Sequence, residues 1–313
     1  MNLPQHQQFK NFDQRLNSPF IMNPSRFAVG IEGTRACFGG GTAAQTNVID
    51  YITIATEGNA TDFGDLTETR HDLAGCNSDT RGCFGGGFAA DQTNVIDYIT
   101  IATEGNATDF GDLTVARNRL AALSNITRGV WAGGSDVGNF DTMDYITIAT
   151  EGNATDFGDL TAATPDLAGL ANNTRGCFGG GTTVDVIEYI TIASDGNATD
   201  FGDLTVARAN LAGCASSTRG IFAGGDTGSK SDVVDYITIA SIGNATDFGN
   251  LTVAREKVAG TGSSARGLFG GGDTTVDVNV IDYITIDTLG DAADFGDMTV
   301  TVRGRGACSD FAE

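Results

Sequence analysis

The chain has 313 residues, 40 % of them hydrophobic, with Lys plus Arg at 18, Asp plus Glu at 40 and a formal net charge of −22. That length and apolar content suffice for a sizeable core and argue against a disordered chain. The acidity argues against a nucleic-acid or anionic-membrane partner, whose phosphates need a basic surface; it favours solubility and weak capture of divalent cations.

The chain opens with MNLPQHQQFKNFDQRLNSPF, which holds no apolar run of signal-peptide length. No later stretch approaches the roughly 20 apolar residues of a membrane helix. The expectation is a protein that folds where it is made, without signal peptide or membrane insertion. Residues 1–24 read as an arm rich in Gln and Asn, carrying Phe9, Phe12 and Phe20, with a weak helix signal within 4–16.

From there one phrase governs the sequence. DYITIATEGNATDFGDLT begins at Asp50 and returns at Asp97 and, with small changes, at Asp144, Glu188, Asp235 and Asp282. Its tyrosines stand at 51, 98, 145, 189, 236 and 283, steps of 47 with a single 44, and a glycine pair or triplet precedes each. A period in the forties built from short strands predicts a β-propeller.

Within residues 115–161 the reading gives strands over 120–125, 129–134, 142–150 and 154–161. The third strand is apolar on both faces: Val48, Ile52 and Ile54 on one side of its first copy, Ile49 and Tyr51 on the other. That suits a strand sandwiched between neighbouring sheets. One such unit has two apolar faces and two bare edges, so the units must stack around an axis.

The predicted fold is therefore all-β: a six-bladed propeller with four antiparallel strands per blade over residues 25–302. The blades read as 25–67, 68–114, 115–161, 162–205, 206–252 and 253–299. Two segments compete to supply the first strand of the first blade. Residues 27–33 align without gaps to 73–79, and the tail 303–313 contains the similar RGRGACSD. The N-terminal segment is the favoured closure.

Hydrophobics leading into a double glycine, a strand with Tyr, an aromatic, and AR before the next unit make each repeat resemble the kelch repeat. Phe63 and its equivalents stand where kelch repeats carry Trp. The fuller phrase, YITIAT-GNATDFGDLTVAR with RGxFGGG, is similar to repeats in tail-associated and other structural proteins of marine bacteriophages, especially cyanophages. That resemblance implies a virion structural or attachment protein without enzymatic activity. Its partners would be other virion proteins, reached through the arm, or a host-surface glycan, and it could form a homo-oligomer within the particle. The alternative is an intracellular kelch-type protein-interaction module.

Individual motifs have mostly structural readings. In DFGD the phenylalanine is expected between blades, with the aspartates capping turns and meeting arginines; Asp62, Asp65, Asp109 and Asp112 are also weak calcium candidates. Arg35, Arg81, Arg128, Arg175, Arg219 and Arg266 open the second strands. Arg70, Arg117, Arg208, Arg255 and Arg303 follow the fourth, with Thr164 breaking the series. Both sets are expected to pair with the repeated aspartates across blades. The glycine triplets point to close strand approach near a crowded axis. NAT and NIT match the glycosylation sequon but read as turn chemistry. Cys37, Cys83 and Cys177 alternate with Val130, Ile221 and Leu268, as buried hydrophobes do. No catalytic triad or cofactor site emerges. The copies differ most between the glycines and the tyrosine strand, so the expected contact surface is the face carrying Gln92, Asp136, Phe140 and Lys230.

Overall fold

The computed structural model describes residues 35–42, 46–182 and 184–310. The predicted arm over 1–24, its helix signal and the segment 27–33 lie outside the described residues. Four-residue to six-residue strands β1 to β24 follow one another in chain order and pair into six four-stranded antiparallel sheets.

The second blade shows the pattern: β4 (Ala74–Asn77), β5 (Arg81–Gly85), β6 (Val95–Thr100) and β7 (Thr108–Asp112), hydrogen-bonded in that order. β4 has the same position as β8 (Ala121–Ser124), β12 (Ala168–Ala171), β16 (Ala212–Ala215), β20 (Ala259–Gly262) and β24 (Gly306–Ser309). Each of these contacts its counterparts in both neighbouring blades, so they close a ring around an axis. The residues they turn toward one another are Gly75, Ala122, Gly169, Gly213, Gly260 and Ala307, small enough for the backbones to meet. The strands read within 115–161 are found as Ala121–Ser124, Arg128–Ala132, Thr142–Thr147 and Thr155–Asp159.

Ring closure differs from the expectation. The C-terminal β24 pairs with β1 (Arg35–Gly39), Ala36 opposite Ser309 and Gly39 opposite Gly306. The other edge of β1 is taken by β2 (Val48–Thr53), so no edge of β1 remains for residues 27–33. Asp310 fixes the junction, its Oδ1 accepting the Arg35 N–H at 2.9 Å.

The core lies between sheets, in six clusters that each join two blades. Phe63 packs there with Leu73, Phe84 and Ile99 of the next blade. It is also the extra residue of a bulge. Opposite β2, Ile49 faces Gly64 and Asp50 faces Asp62, and Phe63 between them has no partner; the same irregularity recurs in every blade.

The close repetition of GNATDFGD, changed only to GNATDFGN at 243–250 and GDAADFGD at 290–297, follows from what the next blade brings against it. The Gly105 N–H donates to the Phe63 carbonyl at 2.8 Å and the Ala107 N–H to the Asp65 carbonyl at 2.7 Å. Asn106 Oδ1 in turn accepts the Asp65 N–H at 3.1 Å. Copies of this clasp run around the ring to Asn59, which accepts from Asp297 at 3.1 Å. A Cβ on Gly111 would stand 2.6 Å from the Gly152 carbonyl, so this step of the phrase admits glycine alone. The sequon asparagines are thus turn residues that hold backbone, as expected.

The paired glycines have a different cause from the one expected. Gly86, at φ +66°, sits at the end of a second strand, and a Cβ there would be 2.7 Å from the Arg117 carbonyl of the incoming next blade. Crowding comes from that connection, not from the axis. All six cysteines are buried and free, and burial pushes the Cys177 and Cys214 thiols up to about 12. The six fill space, and these two thiols stay protonated at neutral pH.

Candidate functional site

One repeated arginine–acid pair is buried inside the ring at most blade junctions. Arg70 is fully buried, donating to Asp97 Oδ2 at 2.9 Å, to the Phe84 carbonyl at 3.1 Å and to the Val95 carbonyl at 2.8 Å. Asp97 also accepts the Thr67 hydroxyl at 2.5 Å and the Thr67 N–H at 3.2 Å, both from the preceding blade. Burial pushes the Asp97 carboxyl above, and the Arg70 guanidinium below, their ordinary values; their mutual attraction opposes it. Equivalent pairs join Arg117 to Asp144 at 3.0 Å, Arg208 to Asp235 at 3.0 Å and Arg255 to Asp282 at 3.1 Å.

The partners are therefore the acids of DYIT, not those of DFGD as expected. Asp62, Asp65, Asp109 and Asp112 take part in no ion pair among the described residues. Nor do the described residues contain a group of three or more acidic, His or Cys side chains placed to hold a metal. In the first blade Val302 stands at the arginine position, and Arg305 replaces it from three residues on, reaching Asp50 at 2.6 Å. Arg303, expected in this series, instead meets Asp273 at 2.7 Å and Asp277 at 3.3 Å.

The other arginine set also bridges blades, through the outer turn. The Arg81 guanidinium lies 4.4 Å from the Tyr98 ring centre and donates to the Ile148 carbonyl of the next blade at 3.1 Å. The Tyr98 hydroxyl donates to Glu151 at 2.8 Å. That hydrogen bond, with burial, raises Tyr98 above the ordinary tyrosine value against the pull of Arg81. Since the folded-state value exceeds the unfolded one, this contribution to stability is intact below pH about 10 and is lost as pH climbs through the folded value. The Tyr98 Cζ resonance is expected to titrate above that of free tyrosine, and Glu151→Gln to bring it down. A titration unmoved by the substitution would remove Glu151 as the cause.

The channel mouth on the loop face is a second ring. Asp72, Arg119, Asp166, Asn210 and Lys257 all take positive φ, between 53° and 63°, and Gly304 completes the set at 66°. Each N–H donates to the carbonyl of the preceding member, from Arg119 to Asp72 at 2.9 Å around to Asp72 and Gly304 at 2.7 Å. Lys257 reaches Asp72 at 3.0 Å, and Arg119 pairs with Asp166. His71 and Lys257 overcome burial to hold the Asp72 carboxyl below its ordinary value. A recess of about 110 Å³ lies inside this mouth. A second of about 110 Å³, lined by Asn77, Ser124, Asn172 and Ser216, lies beyond the small-residue constriction.

The variable loops do share the mouth's face, because the incoming segments bridge to them: His71 with Phe88, Asn118 with Ser135, Ala209 with Asp226 and Glu256 with Asp273. Of the four expected contact residues, Gln92 is half-buried, and its amide turned to donate reaches Asp136 at 3.2 Å in the adjoining blade. Asp136 is exposed and Phe140 half-buried on one loop. Lys230 is engaged: it pairs with Glu256 and lies 3.6 Å from Asp273, so it braces blades five and six. Sequence reasoning passed over Val137, fully exposed on the Asp136–Phe140 loop, and Val276, 66 % exposed in the matching loop of blade six. Their signal was an apolar residue inside an otherwise polar loop. No helix of the described residues is long and apolar enough to cross a membrane.

Compared with known proteins, the chain matches no family model and no curated protein.

Proposed function

We propose that this propeller is a non-enzymatic structural or attachment component of a bacteriophage particle, a rigid platform whose loop face contacts a neighbouring virion protein or a host-surface glycan. The observation that carries the reading is the division of labour between repeated and variable residues. Repeated arginines, tyrosines and asparagines, with the acids of DYIT, are spent holding blade to blade, while the unequal loops that carry exposed Val137 and Val276 differ from blade to blade on the mouth's face. Binding residues tend to sit on loops held by a rigid scaffold. The resemblance of YITIAT-GNATDFGDLTVAR to repeats of marine phage structural proteins supplies the setting. We assign residues 1–24 to contact with another subunit.

Labelled antibody on purified particles tests the placement, and a particle without label overturns it. Within the placement, Val137→Asp with Phe140→Ala is expected to weaken capture of the neighbouring virion protein or glycan at least about tenfold, a loss of about 1.4 kcal/mol. The melting temperature should stay unchanged. Binding at full strength would remove the loop face from the reading.

A further inference from the structure

Blade four departs from the other five at points that converge. Thr164 stands where Arg70 stands in blade two, and Glu188 where Asp97 stands. Its tyrosine step is 44 instead of 47, which shortens the loop above the site. Pro165 follows, without the N–H that His71 gives to the Phe88 carbonyl at 3.0 Å.

Together these changes leave a cavity of about 60 Å³, lined by Thr161, Thr164, Phe178, Val184, Val186 and Glu188. That is more room than one water needs. Phe178 and Val186 are the counterparts of Phe84 and Val95, whose carbonyls receive the Arg70 guanidinium in blade two at 3.1 Å and 2.8 Å. Glu188 is 7 % exposed. Its carboxylate accepts the Thr161 N–H at 3.0 Å and the Thr161 hydroxyl. No cation among the described residues pairs with it. A carboxylate offers about four acceptor sites, so half of this one's capacity is unused.

We propose that this cavity binds a guanidinium group brought from outside the ring, either a free alkylguanidinium or an arginine side chain. Blade two shows the receptor filled: a carboxylate on one flank, carbonyls on the other, apolar walls between. A planar cation with several fixed donors matches that arrangement, whereas a compact ammonium satisfies fewer of the acceptors and is harder to dehydrate. A buried carboxylate without a cation is costly, and an incoming one relieves it. The site stands independently of any place in a particle.

The test titrates the full chain with methylguanidinium chloride at constant ionic strength, read by calorimetry and by melting temperature. Methylammonium chloride and methylurea serve as controls. Saturable binding with a rise in melting temperature is expected for methylguanidinium alone. Thr164→Arg fills the cavity from within; it should melt higher than the parent and bind no methylguanidinium. Glu188→Gln keeps the shape without the charge and should bind about tenfold or more weakly. Gly-Arg-Gly separates the sources: binding comparable to methylguanidinium assigns a chain-borne arginine, and binding of methylguanidinium alone assigns a free cation. No saturable binding by the parent, or undiminished binding by Glu188→Gln or a folded Thr164→Arg, overturns the proposal.

Discussion

Ending the chain at Gly304 is expected to abolish the folded ring. The truncation removes β24, and with it the pairing of Ala36 to Ser309 through Gly39 to Gly306 along β1. It also removes Arg305, which donates to Asp50 at 2.6 Å and to the Gly40 carbonyl at 2.8 Å. Asp50, fully buried in the intact ring, would keep among the described side chains only the Thr299 hydroxyl bond, at 2.5 Å, to offset its charge. Leaving one member of a buried pair costs about 3–5 kcal/mol. The opened innermost ring and the bare edge of β1 add to that. The sum is comparable with the whole net stability of a domain, about 5–15 kcal/mol. Far-UV circular dichroism with size-exclusion chromatography reads the outcome. A truncated chain that still melts cooperatively within a few degrees of the parent would show that the ring does not depend on this closure.

The second large effect is expected at Asp144→Ala. The substitution strands Arg117, which is fully buried and whose Nε and one terminal nitrogen already lack partners. It also frees the Thr114 hydroxyl and N–H of the preceding blade. A loss of about 3–5 kcal/mol is expected, measured by urea unfolding. Replacing both partners, Arg117→Met with Asp144→Leu, should regain most of it, since apolar residues of similar volume avoid the stranded charge. If the single substitution costs under about 1 kcal/mol, the buried pairs are not what joins the blades.

The blades and their strands were legible because their requirements are local. A strand apolar on both faces, a glycine-bounded strand before it and a period of 47 leave few ways to bury the surface. The closing strand was not legible, because it is four residues of Gly, Ala, Cys and Ser with no pattern of its own. Residues 27–33 align without gaps and are the favoured reading, and only pairing at long range decides for the tail. The arginine partners were hidden for a related reason. DFGD looks like an acid cluster, yet its aspartates face outward beside the bulge, while Asp50 and its kin lie within an apolar strand at full burial. An acid repeated at one place among isoleucines was the available sign. Thr164 was visible as a break in the arginine series, but the matching change at Glu188 acquires meaning only when the fold brings the two to one cavity. Lys230 shows the converse: a charged residue in a variable loop that the structure commits to neighbouring acids.

Sewing the ring shut with its last strand also sets a timetable. Arg305 and Gly40, hydrogen-bond partners, are 265 positions apart. A ribosome adding about 5–20 residues per second needs roughly 13–50 s to make the second after the first. During that interval the first sheet has three strands and one raw flank, held near a nascent chain of near-identical repeats that could each pair with it wrongly. Blades two to six can stack as they emerge, and the opening sheet is finished last.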